Sequence, residues 1–393
     1  MRPLRGRHRR RPAPRPASTR NDRLIGKRDG RERLSTPALV LDLDALQRNL
    51  DAMAAYCDAH ATTLRPHAKT HKSARIAALQ AKAGAAGICT ATLREAETMV
   101  AARIHGVLIT SPMAGEAKLD GVAELLQRDA GLMLVVDSIA GAKALEARLG
   151  KARLTAKVLI DIDVGMQRTG VSDLRSAIAL ARHLDRSDRL QLLGVQCYSG
   201  MVQHIGKYAS RARTYGAELG FLEAILDKMR SLGLPTTIVS GGGTGTFDID
   251  RRRGLFTECQ AGSYVFMDVQ YNEVELVEQR PPPFETSLYV QSMVLSSNHP
   301  GSATIDAGFK SFAMDGPLPQ VHSGAPKGAR FQFYGDEFGK LRWEESSKRL
   351  ALGRKIELIT PHCDPTVNLH NVYHCVRGRR LVDIWPVDAR GAV

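Results

Sequence analysis

The sequence predicts an α/β protein, a (β/α)₈ barrel followed by an antiparallel β domain, and three observations carry that prediction. From Ala38 onward, short apolar runs rich in β-branched residues alternate with longer amphipathic stretches. After Gln279 the texture changes to Gly-rich turns between short extended runs. Polar clusters stand where the strands of a barrel would end, the face on which such folds build their sites.

Taken in order, ALVLD at 38–42 reads as a strand, and LDALQRNLDAMAAYCDAH repeats Leu43, Leu46, Leu50 and Met53 at helical spacing. Further strands are expected near 62–66, 87–91, 107–110, 132–136, 156–162, 191–198, 236–240 and 257–261, most of them followed by a helical stretch. Nine strands are one too many for a closed barrel. Assigning the first to the β domain leaves eight, over about 220 residues. An open doubly wound sheet is the alternative, but no GxGxxG follows the first strand. Residues 34–280 are therefore read as the barrel, and Arg280-Pro-Pro-Pro-Phe284 as the linker. Residues 281–393 then form the β domain, with no convincing helix.

The 393 residues are 43% hydrophobic and 24% charged, which excludes a mainly disordered chain. No apolar run approaches the roughly 20 residues of a membrane span. The net charge of +14 resides mostly in residues 1–33, where twelve Arg and Lys27 face only Asp22, Asp29 and Glu32. This Arg/Pro-rich segment reads as a disordered, dispensable extension, of the kind a start site set too early would add, and has no signal-peptide core. Nucleic-acid binding would rest on it alone. The six cysteines contain no CxxC pair, which fits a reducing cytoplasm.

Four segments fall at barrel strand ends. Arg65-Pro-His-Ala-Lys-Thr-His-Lys72 offers lysines whose amine would be depressed by desolvation and neighbouring cations, ready for a Schiff base. Asp161-Ile-Asp-Val-Gly-Met-Gln-Arg-Thr-Gly170 places Arg168 on a turn, and Gln196–His204 offers an aromatic ring and an imidazole. Val239-Ser-Gly-Gly-Gly-Thr-Gly-Thr246 suits backbone donors closing on a phosphate. A lysine on the first barrel strand and a phosphate cradle on the seventh suggest pyridoxal phosphate. In Thr360–Asn368, read as extended, His362 and Asp364 share a face and can grip a divalent ion while Cys363 faces away. His370 and His374 are read as structural.

The motifs STPALVLDLDALQRNL, RPHAKTHK, the Gly–Arg–Thr–Gly turn, QHI, SGGGTGT and PHCDPTVNL occur in one order. The chain from about Leu34 onward resembles the D-threonine aldolase / D-serine dehydratase-like family of the alanine racemase fold type. The resemblance implies that Lys69 is the Schiff-base lysine, that Arg168 and Tyr198 flank the cofactor ring, and that Ser240, Gly241, Gly242, Gly243 and Thr244 form the phosphate cradle with Tyr264 nearby. It implies His362 and Asp364 as ligands of a divalent metal (Mn²⁺ first, Mg²⁺ or Co²⁺ as alternatives) and His204 as the base. His370 stands where the family has Tyr. Family aldolases carry His-x-Asp and the dehydratases His-x-Cys with zinc, so His362-Cys363-Asp364 favours retro-aldol cleavage of D-3-hydroxy-amino acids, D-threonine giving glycine and acetaldehyde. D-3-hydroxyaspartate aldolase and β-eliminating dehydratase are the alternatives, and a non-catalytic cofactor carrier would lack the β domain. The resemblance implies a homodimer, and the cysteine usage a cytoplasmic location.

Overall fold

The computed structural model of the protein describes residues 20–344 and 349–391. Strand β1 (Ala38–Asp42) precedes eight parallel strands: β2 (Thr63–Leu64), β3 (Ile88–Thr90), β4 (Val107–Ile109), β5 (Met133–Val136), β6 (Ala156–Ile162), β7 (Leu190–Cys197), β8 (Ile238–Gly241) and β9 (Glu258–Cys259). They pair in the order β2-β9-β8-β7-β6-β5-β4-β3. A parallel bridge between His67 and Cys89 closes the ring, with Cys89 N–H donating to the Pro66 carbonyl at 2.8 Å. Alternation along the strands divides the side chains. Cys89, Leu108, Met133, Val135 and Leu159 pack together as one cluster, while Ile109, Leu134, Val136, Val158 and Ile160 join the core formed with the helices.

The closing seam carries a charge. Arg65 donates from Nε and Nη2 to Glu258 on β9 at 2.8 and 2.6 Å, and from Nη1 to the Gly106 carbonyl. A Cβ on Gly87 would lie 2.2 Å from Arg65 Nη1, so glycine makes room for the guanidinium there. Both members of the pair are buried, and the fork geometry fixes β2 against β9 where each strand contributes only two residues.

As expected, β1 leaves the barrel for the second sheet, running antiparallel to β10 (Leu288–Ser296) and parallel to β16 (Val372–Arg377). The other strands there are β11 (Ser302–Ile305), β12 (Gln320–Ser323), β13 (Arg330–Phe333), β14 (Gly339–Arg342), β15 (Lys355–Ile359) and β17 (Arg380–Pro386). The helix Leu43–Ala59 starts on an Asp42 cap and packs Leu46, Leu50 and Met53 into a core shared with Tyr264, Phe284, Val290 and Tyr373. One apolar core thus runs from the barrel's last turns into the β domain and fixes the two together.

Two expectations need correction. The β domain does contain a helix, Cys363–Leu369. Residues 20–33 are not a disordered arm: Leu24 and Leu34 are buried with Val376 and Leu381, and Arg31 pairs with Glu357 at 2.7 Å. Charge density alone misread a segment in which Arg31 finds a buried carboxylate partner. The rest of the extension, residues 1–19, lies outside the described residues. His374 is structural, its imidazole between the Leu39 carbonyl and the Asn21 amide at 3.0 and 2.8 Å. The six cysteines are buried and unpaired. Among the described residues no helix is long and apolar enough to cross a membrane.

Candidate active site

A cavity of about 270 Å³ opens at the C-terminal ends of the barrel strands, and Lys69, Arg168, Tyr198, Gly242, Gly243 and Thr244 are among its walls. Lys69 sits on the short turn Ala68–Thr70 after β2. His67 fixes that turn, its Nδ1 accepting from Lys69 N–H at 3.3 Å while Nε2 meets Thr110 Oγ1 at 3.1 Å. With Nδ1 accepting, the ring proton belongs on Nε2. Burial and the Lys69 charge hold this imidazole well below its ordinary range, hence neutral. Lys72, the other lysine of the motif, turns away to a buried Glu95 at 2.5 Å.

The Lys69 amine meets Asp364 Oδ2 at 2.9 Å. The depressed amine expected from neighbouring cations is therefore not found. The Asp364 charge outweighs desolvation and raises Lys69, because a carboxylate from the β domain lies closer than any cation. Burial opposes ionisation of Asp364, but Lys69 and His362 hold its carboxyl well below the usual range.

The Gly-rich turn is glycine for a reason other than the one the sequence suggested. A Cβ on Gly242, whose φ is +69°, would lie 2.1 Å from Asp250 Oδ2, and one on Gly243 would lie 2.5 Å from Gln203 Oε1. The crowding is with protein behind the turn, which presses the bare backbone forward as cavity wall. Not all five residues of the run are free to donate. Gly243 N–H is committed to Thr246 Oγ1 at 3.0 Å, and Ser240, whose hydroxyl accepts from Gln260 at 3.0 Å, does not line the cavity. Gly241 lies within β8. Thr244, with Ser263 beside it on the cavity wall, is the better phosphate donor. Its hydroxyl accepts from Tyr264 N–H at 3.1 Å and can donate onward. Tyr264 reaches this end of the site through its backbone N–H, while its ring is buried and its hydroxyl accepts from the Gln80 amide at 3.1 Å.

Arg168 lies over the Tyr198 ring with its guanidinium carbon 5.7 Å from the centroid. Between them and the turn, Asp161 accepts from Gln196 and Thr169 at 2.9 and 2.8 Å, and burial pushes its carboxyl up to about 6. The amides of Gln196 and Gln260 escaped the sequence reading, since a glutamine on a barrel strand carries no motif.

The segment Thr360–Asn368, read from the sequence as the metal site, is not extended throughout. His362 keeps an extended backbone, but the chain coils into the helix at Cys363. Cys363 therefore does not simply face away: its buried thiol donates to Asp364 Oδ1 at 3.4 Å, and its N–H to Asp268 Oδ2 at 2.9 Å. Asp268 also caps Tyr271 N–H at 2.9 Å. The Tyr271 ring lies 4.6 Å from that of His204, and His204 lies 6.5 Å from His362. Desolvation pushes His204 down to about 4, although the residue is exposed to solvent. Among the described residues no group of three or more His, Cys, Asp and Glu side chains is assembled for an ion. One imidazole and one carboxylate two residues apart at the start of this helix nonetheless form a fitting donor set for a divalent cation that keeps open positions.

Residues 41–270 match the family described as alanine racemase, N-terminal domain, and residues 287–376 match the putative serine dehydratase domain. The chain is 37% identical over 359 residues to a D-threonine aldolase from Arthrobacter sp, covering 91% of this chain and 93% of that protein. The chain belongs to the D-threonine aldolase and D-serine dehydratase family. Another member, a 3-hydroxy-D-aspartate aldolase from Paracoccus denitrificans, is 33% identical over 362 residues, 91% of this chain and 92% of that one. The crystal structure of D-threonine aldolase from Filomicrobium marinum superposes with a TM-score of 0.87 at 36% identity, covering 92% and 97% of the two chains. The protein is thus an enzyme of the lyase class with the alanine-racemase-type barrel, and the family implies pyridoxal phosphate as its cofactor.

Proposed function

We propose that this lyase is a pyridoxal-phosphate- and divalent-metal-dependent D-threonine aldolase, cleaving D-3-hydroxy-amino acids to glycine and an aldehyde. One observation carries the reading: the lysine of the barrel motif and the carboxylate of His-x-Asp meet at 2.9 Å, so two motifs far apart in sequence serve one site. Lys69 would hold the cofactor, with Thr244, Ser263 and the Gly turn at its phosphate and Arg168 and Tyr198 at its sides. His362 and Asp364 would hold Mn²⁺, or Mg²⁺ or Co²⁺ in its place. When bound, the cofactor supplies a sink for the electrons of the breaking Cα–Cβ bond, and the cation lowers the pKa of the substrate's β-hydroxyl.

The chain's own residues do the rest. His204, neutral and beside His362, accepts the hydroxyl proton at its ring nitrogen. His67, held in one tautomer, keeps the Lys69 turn in place, and Asp161, held by the Gln196 amide and the Thr169 hydroxyl, forms a buried floor. In this reading residues 34–280 carry the cofactor and 281–393 the metal, in a cytoplasmic homodimer, the buried unpaired cysteines suiting a reducing compartment.

Product analysis with D-threonine, D-serine and D-3-hydroxyaspartate, with and without Mn²⁺, tests the reading. Glycine plus acetaldehyde from D-threonine is the expected outcome. Glycine plus glyoxylate as the favoured products would make it a 3-hydroxyaspartate aldolase, the alternative supported by the Paracoccus relative. A keto acid plus ammonia would make it a dehydratase.

A further inference from the structure

The loop before β12 runs beside the helix Cys363–Leu369 and is bonded to it at regular intervals. His370, just past the helix, reaches the Ser311 carbonyl through Nε2 at 3.0 Å. Four residues earlier, Thr366 Oγ1 accepts from Ala313 N–H at 3.0 Å and donates to the His362 carbonyl at 2.7 Å. Four residues earlier again, His362 Nδ1 meets Asp315 Oδ2 at 2.8 Å. Loop residues 311, 313 and 315 thus pair with 370, 366 and 362. Alternate positions of this loop, itself a run of turns and bends, match successive turns along one side of the helical segment. The Asp315 carboxylate is 56% exposed, but its loop is registered, and the register delivers it to one nitrogen of His362.

We infer that Asp315 is a positioning residue for the metal centre, accepting from His362 Nδ1–H so that Nε2 is the nitrogen turned to the cation. The inference rests on the metal-dependent reading above. A carboxylate on the far nitrogen fixes the tautomer and orientation of a ligating histidine and raises its basicity. With only one imidazole and one carboxylate from the protein, an imidazole free to rotate about χ2 would forfeit half of the donor set. His370, structural as the sequence suggested, becomes the far anchor of the same register.

The test uses the cofactor-loaded enzyme stripped of metal with EDTA and titrated with Mn²⁺, free ion being read by electron paramagnetic resonance. Asp315→Ala should raise the Mn²⁺ Kd by about 10- to 100-fold while the visible absorption of the lysine-bound cofactor stays unchanged. Asp315→Asn, which keeps an acceptor for Nδ1–H, should recover part of the affinity. Asp336→Asn removes an exposed carboxylate elsewhere in the β domain, and an unchanged Kd there excludes a net-charge effect. Wild-type Kd in Asp315→Ala would overturn the inference, and so would complete loss of Mn²⁺ binding, which would make Asp315 a ligand itself. If the wild-type holoenzyme binds no Mn²⁺, Mg²⁺ or Co²⁺, the metal-dependent reading falls instead.

Discussion

The two walls of the site are built by opposite means. On the barrel wall, Lys69, Asp161, Tyr198 and Thr244 follow directly from strand ends, and the ladder of parallel strands sets their spacing before any side chain is chosen. On the β-domain wall, His362 and Asp364 sit at the start of a seven-residue helix. That helix is too short to hold itself in water, and bonds from distant segments hold it: Asp268 at Cys363 N–H and Asp315 at His362. Tyr373 of β16 in turn bonds the His71 carbonyl beside the lysine turn at 2.5 Å, tying the second wall to the first. The wall proposed for the cofactor is thus a property of the barrel, whereas the wall proposed for the metal is a property of docking. A perturbation of the first should act locally or on global stability, and a perturbation of the second should act on metal affinity alone.

The largest effect is expected at Lys69. Lys69→Ala should remove the visible absorption of bound pyridoxal phosphate after reduction and dialysis, and lower turnover by more than about 10³-fold, the scale seen when a covalent participant is lost. Lys72→Ala should keep the colour, since its amine is spent on Glu95. Borohydride labelling followed by peptide mapping reads both. A tag on Lys72 would reverse the assignment and place the cofactor behind the turn.

Next comes Arg65, which has no contact with Lys69 or Asp364. Removing it strands the buried Glu258 carboxylate on β9, which should cost about 3–5 kcal/mol in urea unfolding. Replacing both partners with apolar residues of similar volume should restore most of that stability. If Arg65→Ala instead left stability intact and changed only Mn²⁺ affinity, the division between a self-supporting cofactor wall and a docked metal wall would be wrong.

The contrast also explains what the sequence disclosed. Barrel strands, their order and the departure of β1 were legible because period-two and helical patterning is local. Lys69 and the Gly run were legible because strand ends fix their place. Asp268 and Asp315 were not: the groups they bind lie 95 and 47 residues away, and neither aspartate stands in a motif. The reading of 360–368 as extended failed because the coil at Cys363 is stabilised by those same distant carboxylates. The disorder assigned to 20–33 failed likewise, since its partner Glu357 lies 326 residues on.

The smallest effect is expected at the Tyr264 side chain, which lies off the cavity while its backbone N–H reaches Thr244. Tyr264→Phe removes the acceptor of the buried Gln80 amide, at about 1 kcal/mol of unfolding free energy. It touches nothing in the cavity, because only its backbone N–H reaches Thr244. Thr244→Val removes the hydroxyl that takes that N–H and borders the cavity, leaving a buried donor unpaired and the phosphate end short of one donor. Cofactor Kd, measured by visible absorption on titrating stripped enzyme with pyridoxal phosphate, should therefore rise about 10-fold in Thr244→Val, the equivalent of one hydrogen bond to a charged group. It should stay within about two-fold of wild type in Tyr264→Phe. The reverse pattern, retention lost with the phenol and kept without the threonine hydroxyl, would restore Tyr264 as the phosphate partner. It would also mean that the barrel wall is not set by strand ends alone.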